Sequence, residues 1–249
     1  MEVIYIINTK KYEIQELIWD TKFFGINCAK ITLKEKINRE DIKKIEKYIE
    51  ENKIQFTTIQ NDNNNETNNN TLKLLKNTYL ADVNIQFIKK INNKSEEYIN
   101  NNIEISNNFP EDINILDISD NAFIYSRFLT DDKLKNGNKV YREWAKNSFN
   151  KYNKFFCCYN INKKTEGFII FKVDSFTNSI IIELIAISEE HRHSGIGSCL
   201  IKKLEAYAAQ ENIDYIKVGT QLNNIEAQNF YIKNNFKHIK NNSIYHLII

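Results

Sequence analysis

Residues 180–200 read IIIELIAISEEHRHSGIGSCL, and this stretch says more about the fold than any other part of the chain. Its apolar first half is typical of a buried strand, and a polar turn then leads into a long helix predicted over residues 195–211. A glycine-containing turn at the start of a helix exposes backbone N–H groups, which can bind a phosphate together with the helix dipole. Gly195 and Gly197 would let a phosphate approach the main chain closely, and Arg192 adds a positive charge.

Two familiar phosphate-binding patterns can be excluded at this turn. The dinucleotide fingerprint G-x-G-x-x-G would need a glycine where the chain has Leu200, and the G-K-[ST] of a P-loop is absent. What remains is the spacing R-x-x-G-x-G, from Arg192 to Gly197. Because the whole chain has only six glycines, the placement of two of them here indicates a backbone requirement.

A second pattern lies further along the chain. Residues 224–231 read NIEAQNFY and are followed by Asn235 and Phe236. Together the two patterns resemble the acyl-CoA site of the GNAT superfamily of N-acetyltransferases, whose second motif has the form N-x-x-A-x-x-[LF]-Y…G-F. Asn235 stands where that family usually has glycine, a tolerable change because asparagine also adopts left-handed conformations.

The resemblance implies an α+β fold, in which a mixed and mostly antiparallel central sheet is flanked by helices. Two neighbouring parallel strands of this fold part from one another, and the pantetheine arm of acetyl-CoA lies between them like an additional strand. In this chain those strands would be residues 180–187 and 215–219. Acetyl-CoA is therefore the expected acyl donor, and no metal is expected.

The resemblance also implies roles for individual residues. The end of the first strand would bind the pantetheine arm and the acetyl carbonyl, the turn would hold the diphosphate, and the second motif would contact the arm. The expected cofactor-binding residues are Ile185, Ala186, Ile187, Arg192, His193, Ser194, Gly195, Ile196, Gly197, Ser198, Asn224 and Tyr231. Tyr231 would also be catalytic, as the general acid that protonates the departing thiolate after direct attack by the amine. Glu183 could act as a general base, directly or through water, or could point to solvent by strand alternation.

Three further segments narrow the resemblance. Residues 19–31 (WDTKFFGINCAKI), 126–131 (SRFLTD) and 140–148 (VYREWAKNS) resemble parts of the TDP-fucosamine acetyltransferase-like branch. Members of that branch have an additional N-terminal domain and acetylate the amino group of a nucleotide-linked deoxyamino sugar. The expected partner is therefore a small-molecule amine, specifically a nucleotide sugar. A protein or peptide N-acetyltransferase and a non-catalytic acyl-CoA-binding module are the alternatives.

The chain is predicted to form two domains, a smaller α/β domain over residues 1–112 and an acetyltransferase domain over residues 113–249. The asparagine-rich residues 61–70 are expected to be a solvated loop. In the first domain we expect a helix at 40–51 and strands at 1–8, 29–33, 54–59 and 83–91. In the second domain we expect helices at 139–149, 195–211 and 224–234, and strands at 155–159, 167–173, 180–187, 215–219, 236–240 and 243–249.

Composition excludes several other classes of protein. The 34 lysines and arginines nearly balance 32 aspartates and glutamates, so the net charge of +2 gives no basis for binding nucleic acid or an acidic membrane. No apolar run approaches the length of a membrane span. The four cysteines show neither zinc-ligand spacing nor a disulfide framework, which is typical of reduced thiols in the cytoplasm. The oligomeric state stays open, because the apolar residues Leu247, Ile248 and Ile249 at the end of the strand 243–249 could pair across a homodimer or simply close the sheet.

Overall fold

The computed structural model describes residues 4–92, 98–129, 134–149 and 151–249. Strands and helices are mixed along these residues. The strands, numbered in chain order, are β1 (Ile4–Asn8), β2 (Tyr12–Glu16), β3 (Cys28–Leu33), β4 (Phe56–Asn61), β5 (Thr78–Lys90), β6 (Ile103–Ser106), β7 (Phe155–Ile161), β8 (Lys164–Asp174), β9 (Ser179–Ile187), β10 (Tyr215–Gln221) and β11 (Lys237–Ile248). The helices are α1 (Ile18–Phe24), α2 (Arg39–Glu51), α3 (Glu66–Leu72), α4 (Ile113–Ala122), α5 (Val140–Ser148), α6 (Ile196–Gln210) and α7 (Ile225–Lys233). The expected α+β class, with mostly antiparallel strands and flanking helices, is confirmed.

The chain divides into two compact units. As far as its residues are described, the first unit comprises Met1–Ile85, Asp131–Lys135 and Lys240–Ile249, and the second comprises Gln86–Thr130 and Asn136–Ile239. The division into sequence domains at residues 1–112 and 113–249 stays a prediction.

The first unit is built on a sheet with the strand order β1-β2-β3-β4-β11. Adjacent strands in this sheet are antiparallel except β3 and β4, which run parallel and are connected by α2. The helix buries Ile42, Ile45 and Ile49, whose spacing of three and four residues places them on one face. They pack in one apolar cluster with Ile31 and Ile59 from the two parallel strands. The helix predicted at residues 40–51 is therefore confirmed.

The asparagine-rich residues 61–70 are not a loop, and that part of the prediction is wrong, although half of them are exposed to solvent as expected. They include a short 3-10 helix at Asp62–Asn64 and most of α3. The side chains of Asn61 and Asn68 are buried, and an amide N–H of Asn68 donates to Asn61 Oδ1 at 3.1 Å. Asn61 donates in turn to Asn69 Oδ1 at 2.6 Å. Because each amide offers both donors and an acceptor, the buried asparagines satisfy one another.

The second unit is built on a sheet with the strand order β10-β9-β8-β7-β6, in which only β9 and β10 are parallel. β7 and β8 form a hairpin whose two turn residues, Asn162 and Lys163, both have positive φ. Helices α4 and α5 pack on one face of this sheet, where Leu116 and Tyr141 share a buried cluster with Leu184. The three helices predicted in this part of the chain are confirmed to within two residues at each end.

Several elements differ from the prediction. The closing strands expected at 236–240 and 243–249 are one continuous strand, β11, since the side chain of Asn242 accepts from the Asn63 N–H at 3.1 Å instead of forming a turn. The helices and strands that were not predicted are α1, β2, α3, β6 and α4. The start of α4 has a usable signal, because Asp112 accepts from the Asn114 N–H at 2.8 Å as an N-cap. Residues 1–3 of the first predicted strand and residues 130–131 of the SRFLTD segment lie outside the described residues.

Two parts of the chain share one order of elements, which the sequence patterns did not indicate. The order β3-α2-β4-α3-β5 is repeated as β9-α6-β10-α7-β11. In each case the first two strands are parallel neighbours, and the short helix that follows begins at an asparagine cap. Asn65 accepts from the Asn68 N–H at 3.2 Å, and Asn224 accepts from the Ala227 N–H at 3.0 Å.

Candidate active site

The parallel strands β9 and β10 of the second unit part before they end. Their pairing runs from Tyr215 opposite Ser179 to Val218 opposite Ile182. β9 continues to Ile187 and β10 to Gln221, without further pairing between the two strands. The split leaves backbone N–H and C=O groups on two facing edges, which is the environment that an extended ligand with amide groups can join.

A β-bulge marks the point where the strands separate. Across β8 and β9, Phe171 lies opposite Ile182 and Ile170 lies opposite Leu184, so Glu183 is the additional residue. A bulge bends its strand and increases the local twist. The bend directs the end of β9 away from β10 and opens the split.

The predicted donor-binding residues of β9 lie beyond this bulge. Ala186 is buried in the cluster under α4 and α5, whereas Ile185 and Ile187 are half-buried. On its other edge β9 is paired with β8, where Ile169 lies opposite Ile185. The edge toward β10 is therefore the one that is open at these three residues.

The turn after β9 presents an uncapped helix N-terminus. A 3-10 turn at Glu189–His191 leads to Gly195, the N-cap of α6, which has φ of 90° and offers no side-chain cap. The first turn of α6 contains no acidic residue. Nothing lies within 4 Å of the position that a Cβ on Gly195 would occupy, so there is open space beside the N-cap of the helix. A Cβ on Gly197 would lie 3.0 Å from the Phe230 ring, which packs α7 closely against α6.

The structure brings the predicted turn residues together in this one feature. Arg192 and His193 are exposed, and His193 has a positive φ of 61° with its ring 3.8 Å from Glu226. Ser194 Oγ donates to the His191 carbonyl at 2.6 Å and fixes the turn before the helix. The remaining predicted residues follow at the first turn of the helix, and they are Ile196, Gly197 and Ser198.

Tyr231 lies on α7 with its ring among other aromatic rings. It is 3% exposed, and its centroid lies 5.5 Å from Phe87, 5.4 Å from Phe230 and 5.6 Å from Phe236. Burial raises the pKa of Tyr231 well above its ordinary value, so the phenol stays protonated at neutral pH. Asn224 caps the same helix with its carbonyl oxygen.

Glu183 is held by two lysines. Lys154 Nζ contacts one carboxylate oxygen, and Lys172 Nζ lies 3.9 Å from the other. Only 10% of the Glu183 side chain is exposed, so it does not point freely to solvent. Its role as a base stays a prediction.

Sequence patterns missed an aromatic stack on the face covered by α4 and α5. The rings of Phe123 and Tyr141 are stacked at 4.4 Å, and those of Tyr141 and Trp144 at 6.0 Å. The Tyr141 ring belongs to the same buried cluster as Ala186 of β9, and its hydroxyl accepts from Gln221 Nε2 of β10 at 3.4 Å. Tyr141 therefore connects the two strands of the split, by packing in the cluster of Ala186 and by its hydrogen bond with Gln221. A three-residue spacing of aromatics in a predicted helix is the only sequence signal for this stack.

The corresponding place in the first unit is closed. There β3 and β4 are paired at every residue from Cys28 opposite Phe56 to Leu33 opposite Asn61. The N-terminus of α2 is filled by a capping box, in which Asn38 accepts two N–H groups and Asp41 accepts the Asn38 N–H. Two acidic residues in that first turn would repel an anion.

Comparison with known proteins agrees with this geometry. Residues 120–236 match the model of the acetyltransferase (GNAT) family. None of the curated proteins compared with the chain matches it.

Three solved structures share the fold over nearly the whole chain. A functionally unknown conserved protein from Staphylococcus epidermidis is 15% identical, with 98% of this chain and 93% of that chain covered and a TM-score of 0.62. A GCN5-related N-acetyltransferase from Sphaerobacter thermophilus is 7% identical, with 96% and 76% covered and a TM-score of 0.61. A tandem GNAT protein from the clavulanic acid biosynthesis pathway is 8% identical, with 96% and 79% covered and a TM-score of 0.61.

Residues 120–236 therefore form a domain of the acetyltransferase (GNAT) family. It is an acyltransferase, and its reaction is acetylation that depends on acetyl-CoA as the donor. Among the described residues, no group of three or more His, Cys, Asp or Glu side chains is arranged to hold a metal. None of the helices in that part of the chain is both long and apolar enough to cross a membrane.

Proposed function

We propose that the protein transfers an acetyl group from acetyl-CoA to the amine of a nucleotide-linked deoxyamino sugar. The observation that carries the donor half of this proposal is the split between β9 and β10, which ends beside the uncapped N-terminus of α6. A pantetheine arm bears two amides and fits an open strand edge, and a diphosphate fits the N–H groups of a helix start.

The donor would lie along the split with its thioester at the inner end. Backbone groups of Ile185 and Ile187 would bind the arm and the acetyl carbonyl, and the turn from Arg192 to Ser198 would hold the diphosphate. The amide of Asn224 would contact the arm from the start of α7. Exposed Arg192 would add a charged contact to the phosphate oxygens.

The chemistry would be a direct transfer without a covalent enzyme intermediate. The neutral amine attacks the thioester carbonyl carbon, the C–S bond breaks, and the thiolate of CoA leaves. Tyr231 gives its phenolic proton to that sulfur, and the raised pKa of Tyr231 keeps the proton available at neutral pH. Glu183, at the bulge where the strands part, would take the proton that the amine releases.

The acceptor half of the proposal is supported by the aromatic stack and by the resemblance of residues 19–31, 126–131 and 140–148 to sugar acetyltransferases. Phe123 and Trp144 are partly exposed rings that pack against the cluster containing Ala186 of β9, and a flat nucleobase or the apolar face of a sugar packs well on such surfaces. A sugar amine is less basic than a lysine side chain and is more often neutral near pH 7, so it demands less of a base.

The acceptor is tested by measuring CoA thiol release with a panel of amines. We expect turnover with TDP- or UDP-linked amino sugars and little with lysine-containing peptides. Turnover on peptides alone would contradict the sugar acceptor and would favour a protein or peptide N-acetyltransferase. Free amino sugars serve as the matched control, because they lack the nucleotide that the aromatic stack would bind.

A further inference from the structure

One buried carboxylate near the turn has no part in the proposed chemistry. Glu166 lies near the start of β8, next to Gly167 and a run of buried apolar residues, and only 4% of it is exposed. A buried carboxylate is costly unless charged or polar groups surround it. Burial by itself raises the pKa of Glu166, but Ser188, Lys164 and His191 together hold that pKa below its ordinary value, so the group is charged at neutral pH.

The partners of Glu166 belong mainly to the turn between β9 and α6. Lys164 Nζ lies 2.9 Å from Oε1 of the carboxylate, and His191 Nδ1 lies 3.4 Å from Oε2, which has no hydrogen-bond partner among the described residues. The backbone carbonyl of Glu166 accepts from the Ser188 N–H at 2.8 Å, and Ser188 Oγ lies 3.2 Å from the same His191 nitrogen. The carboxylate thus faces the imidazole at the point where the chain leaves β9.

His191 passes this contact on to the diphosphate-binding residues. Its carbonyl accepts from Ser194 Oγ at 2.6 Å, and Ser194 precedes the open N-cap Gly195. Its N–H donates to the Ser188 carbonyl at 3.1 Å. The ring and the backbone of His191 therefore connect Glu166 of β8 with the residues that precede the uncapped start of α6.

The back of the turn is not supported by a packed core. A cavity of about 350 Å³ lies between α4 and the turn, and its lining includes Asp117, Ile118, Glu166, Ser188 and Arg192. Because few atoms press on the turn from this side, its shape depends on its hydrogen bonds more than on packing.

We propose that Glu166 is a positioning residue that holds the turn from Arg192 to Ser198 in its diphosphate-binding shape through His191. Glu166 itself does not touch the donor. This inference rests on the proposed placement of the diphosphate at the start of α6. It assigns a function to a buried charge that the acetyl transfer does not use.

The test compares two ligands, acetyl-CoA and S-acetylpantetheine, which lacks the diphosphate. For Glu166→Gln we expect the Kd of acetyl-CoA to rise roughly 5-fold, which corresponds to about 1 kcal/mol, because the charge that holds His191 is lost. The Kd of S-acetylpantetheine should not change, because that ligand does not use the turn. Glu190→Gln is the matched control, since Glu190 is an exposed carboxylate in the same turn. It should leave both dissociation constants as they are.

A second pair of variants guards against a folding defect in Glu166→Gln. The His191 side chain is 33% exposed, so changes there are tolerated more easily. His191→Ala should weaken acetyl-CoA binding as Glu166→Gln does, whereas His191→Asn, which keeps a polar nitrogen near the Nδ1 position, should restore most of it.

Equal weakening of both ligands, or no change for either ligand in Glu166→Gln and His191→Ala, would overturn the positioning role. Arg192→Ala separates this failure from failure of the proposed function. If Arg192→Ala weakens acetyl-CoA binding while Glu166→Gln does not, only the positioning role is lost. If Arg192→Ala also has no effect, the diphosphate does not bind at this turn.

Discussion

Tyr231 is the residue on which the proposed proton transfer depends. Burial raises the pKa of its phenol, so the hydroxyl is protonated at neutral pH. Tyr231→Phe should therefore lower kcat by roughly 100-fold or more, the usual contribution of a general acid. The Kd of acetyl-CoA should stay within about twofold, because only the transition state uses the hydroxyl. Steady-state thiol release and calorimetric binding measure the two quantities.

Tyr207→Phe is the matched control for that experiment. Tyr207 is a half-buried tyrosine whose ring meets that of Phe171 edge to face with the centroids 5.7 Å apart, and burial likewise raises its pKa. Loss of its hydroxyl should leave kcat unchanged. Equal rates for Tyr231→Phe and the wild type would remove Tyr231 from the mechanism.

A second prediction at the scale of single residues concerns Glu183. If it accepts the proton of the amine, Glu183→Gln should lower kcat roughly 10- to 100-fold and leave the KM for acetyl-CoA unchanged. Lys172→Gln is the control, since Lys172 is the more distant of the two lysines and contributes only its charge to the ion pair with Glu183. A rate for Glu183→Gln equal to that of the wild type would show that the ion pair is structural.

Candidate site residues that lie within a motif could be proposed from the sequence, whereas the residues that contact them from distant parts of the chain could not. Arg192, Gly195 and Tyr231 lie within two short patterns whose geometry is local. Lys154 meets Glu183 across 29 positions and Gln221 meets Tyr141 across 80, and only the topology brings such pairs together. The same reason explains why Glu166 was not predicted to be part of the site.

At the scale of elements, the helices α2 and α6 differ at the third position of their first turn. Asp41 stands there in α2 and completes a capping box, whereas Ser198 stands there in α6. Ser198→Asp should stabilise the unliganded protein by about 0.5 kcal/mol through the helix dipole. It should also raise the Kd of acetyl-CoA at least about tenfold, because a carboxylate would face the diphosphate.

Opposite signs for these two effects are the distinctive result. Thermal unfolding without ligand gives the first effect and calorimetric titration gives the second. Ser198→Ala is the control, since it adds no charge. Unchanged acetyl-CoA binding in Ser198→Asp would mean that the diphosphate lies elsewhere.

The α2 cap makes a pH-dependent prediction. Burial alone would raise the pKa of Asp41, but Lys11 at 2.7 Å and the Asn38 N–H lower it below its ordinary value. A lowered pKa in the folded state stabilises the protein above the unfolded pKa of about 3.9, and this contribution is lost as the pH falls through the folded value. Asp41→Asn should thus cost about 1 kcal/mol of unfolding free energy at pH 7.

The difference between Asp41→Asn and the wild type should shrink as the pH falls below about 4. Urea unfolding at several pH values measures it. Lys10→Gln is the control, since the Lys10 ion pair is exposed and should contribute little. A difference that stays constant down to pH 3, an acidity at which an ordinary aspartate of pKa about 3.9 is mostly protonated, would contradict the charge-based cap.

Elements with strong periodicity were predicted well, and elements that depend on tertiary contacts were not. The helix over residues 40–51 follows from its apolar spacing alone. The asparagine-rich residues 61–70 suggest solvent by composition, yet Asn61 and Asn68 are buried because their amides find partners only in the folded chain. Likewise Asn242 continues β11 only because Asn63 lies beside it.

At the scale of the whole molecule, the repeated order of elements raises the question of how many donors one chain binds. The second unit has parted strands and an open helix start, whereas the first has fully paired strands and a capped, acidic helix start. Counted from the asparagine cap of the short helix, the position of Tyr231 in α7 corresponds to Leu72 in α3, which has no proton to give. We therefore expect one acetyl-CoA per chain.

The repeat explains why the two acyl-CoA motifs were found only in the second unit. The motifs that resemble the acetyltransferase family contain the residues proposed for the donor site, and the first unit keeps the order of elements without them. Its helix cap and its paired strands satisfy backbone groups that the second unit leaves for a ligand.

Calorimetric titration of the intact chain with acetyl-CoA, performed on the wild type and on Ser198→Asp, tests the donor site most directly. We expect a stoichiometry close to one for the wild type and a Kd at least about tenfold higher for Ser198→Asp. Two acetyl-CoA molecules per chain, or equal affinity in the two proteins, would contradict a donor site formed by the split between β9 and β10 and the start of α6.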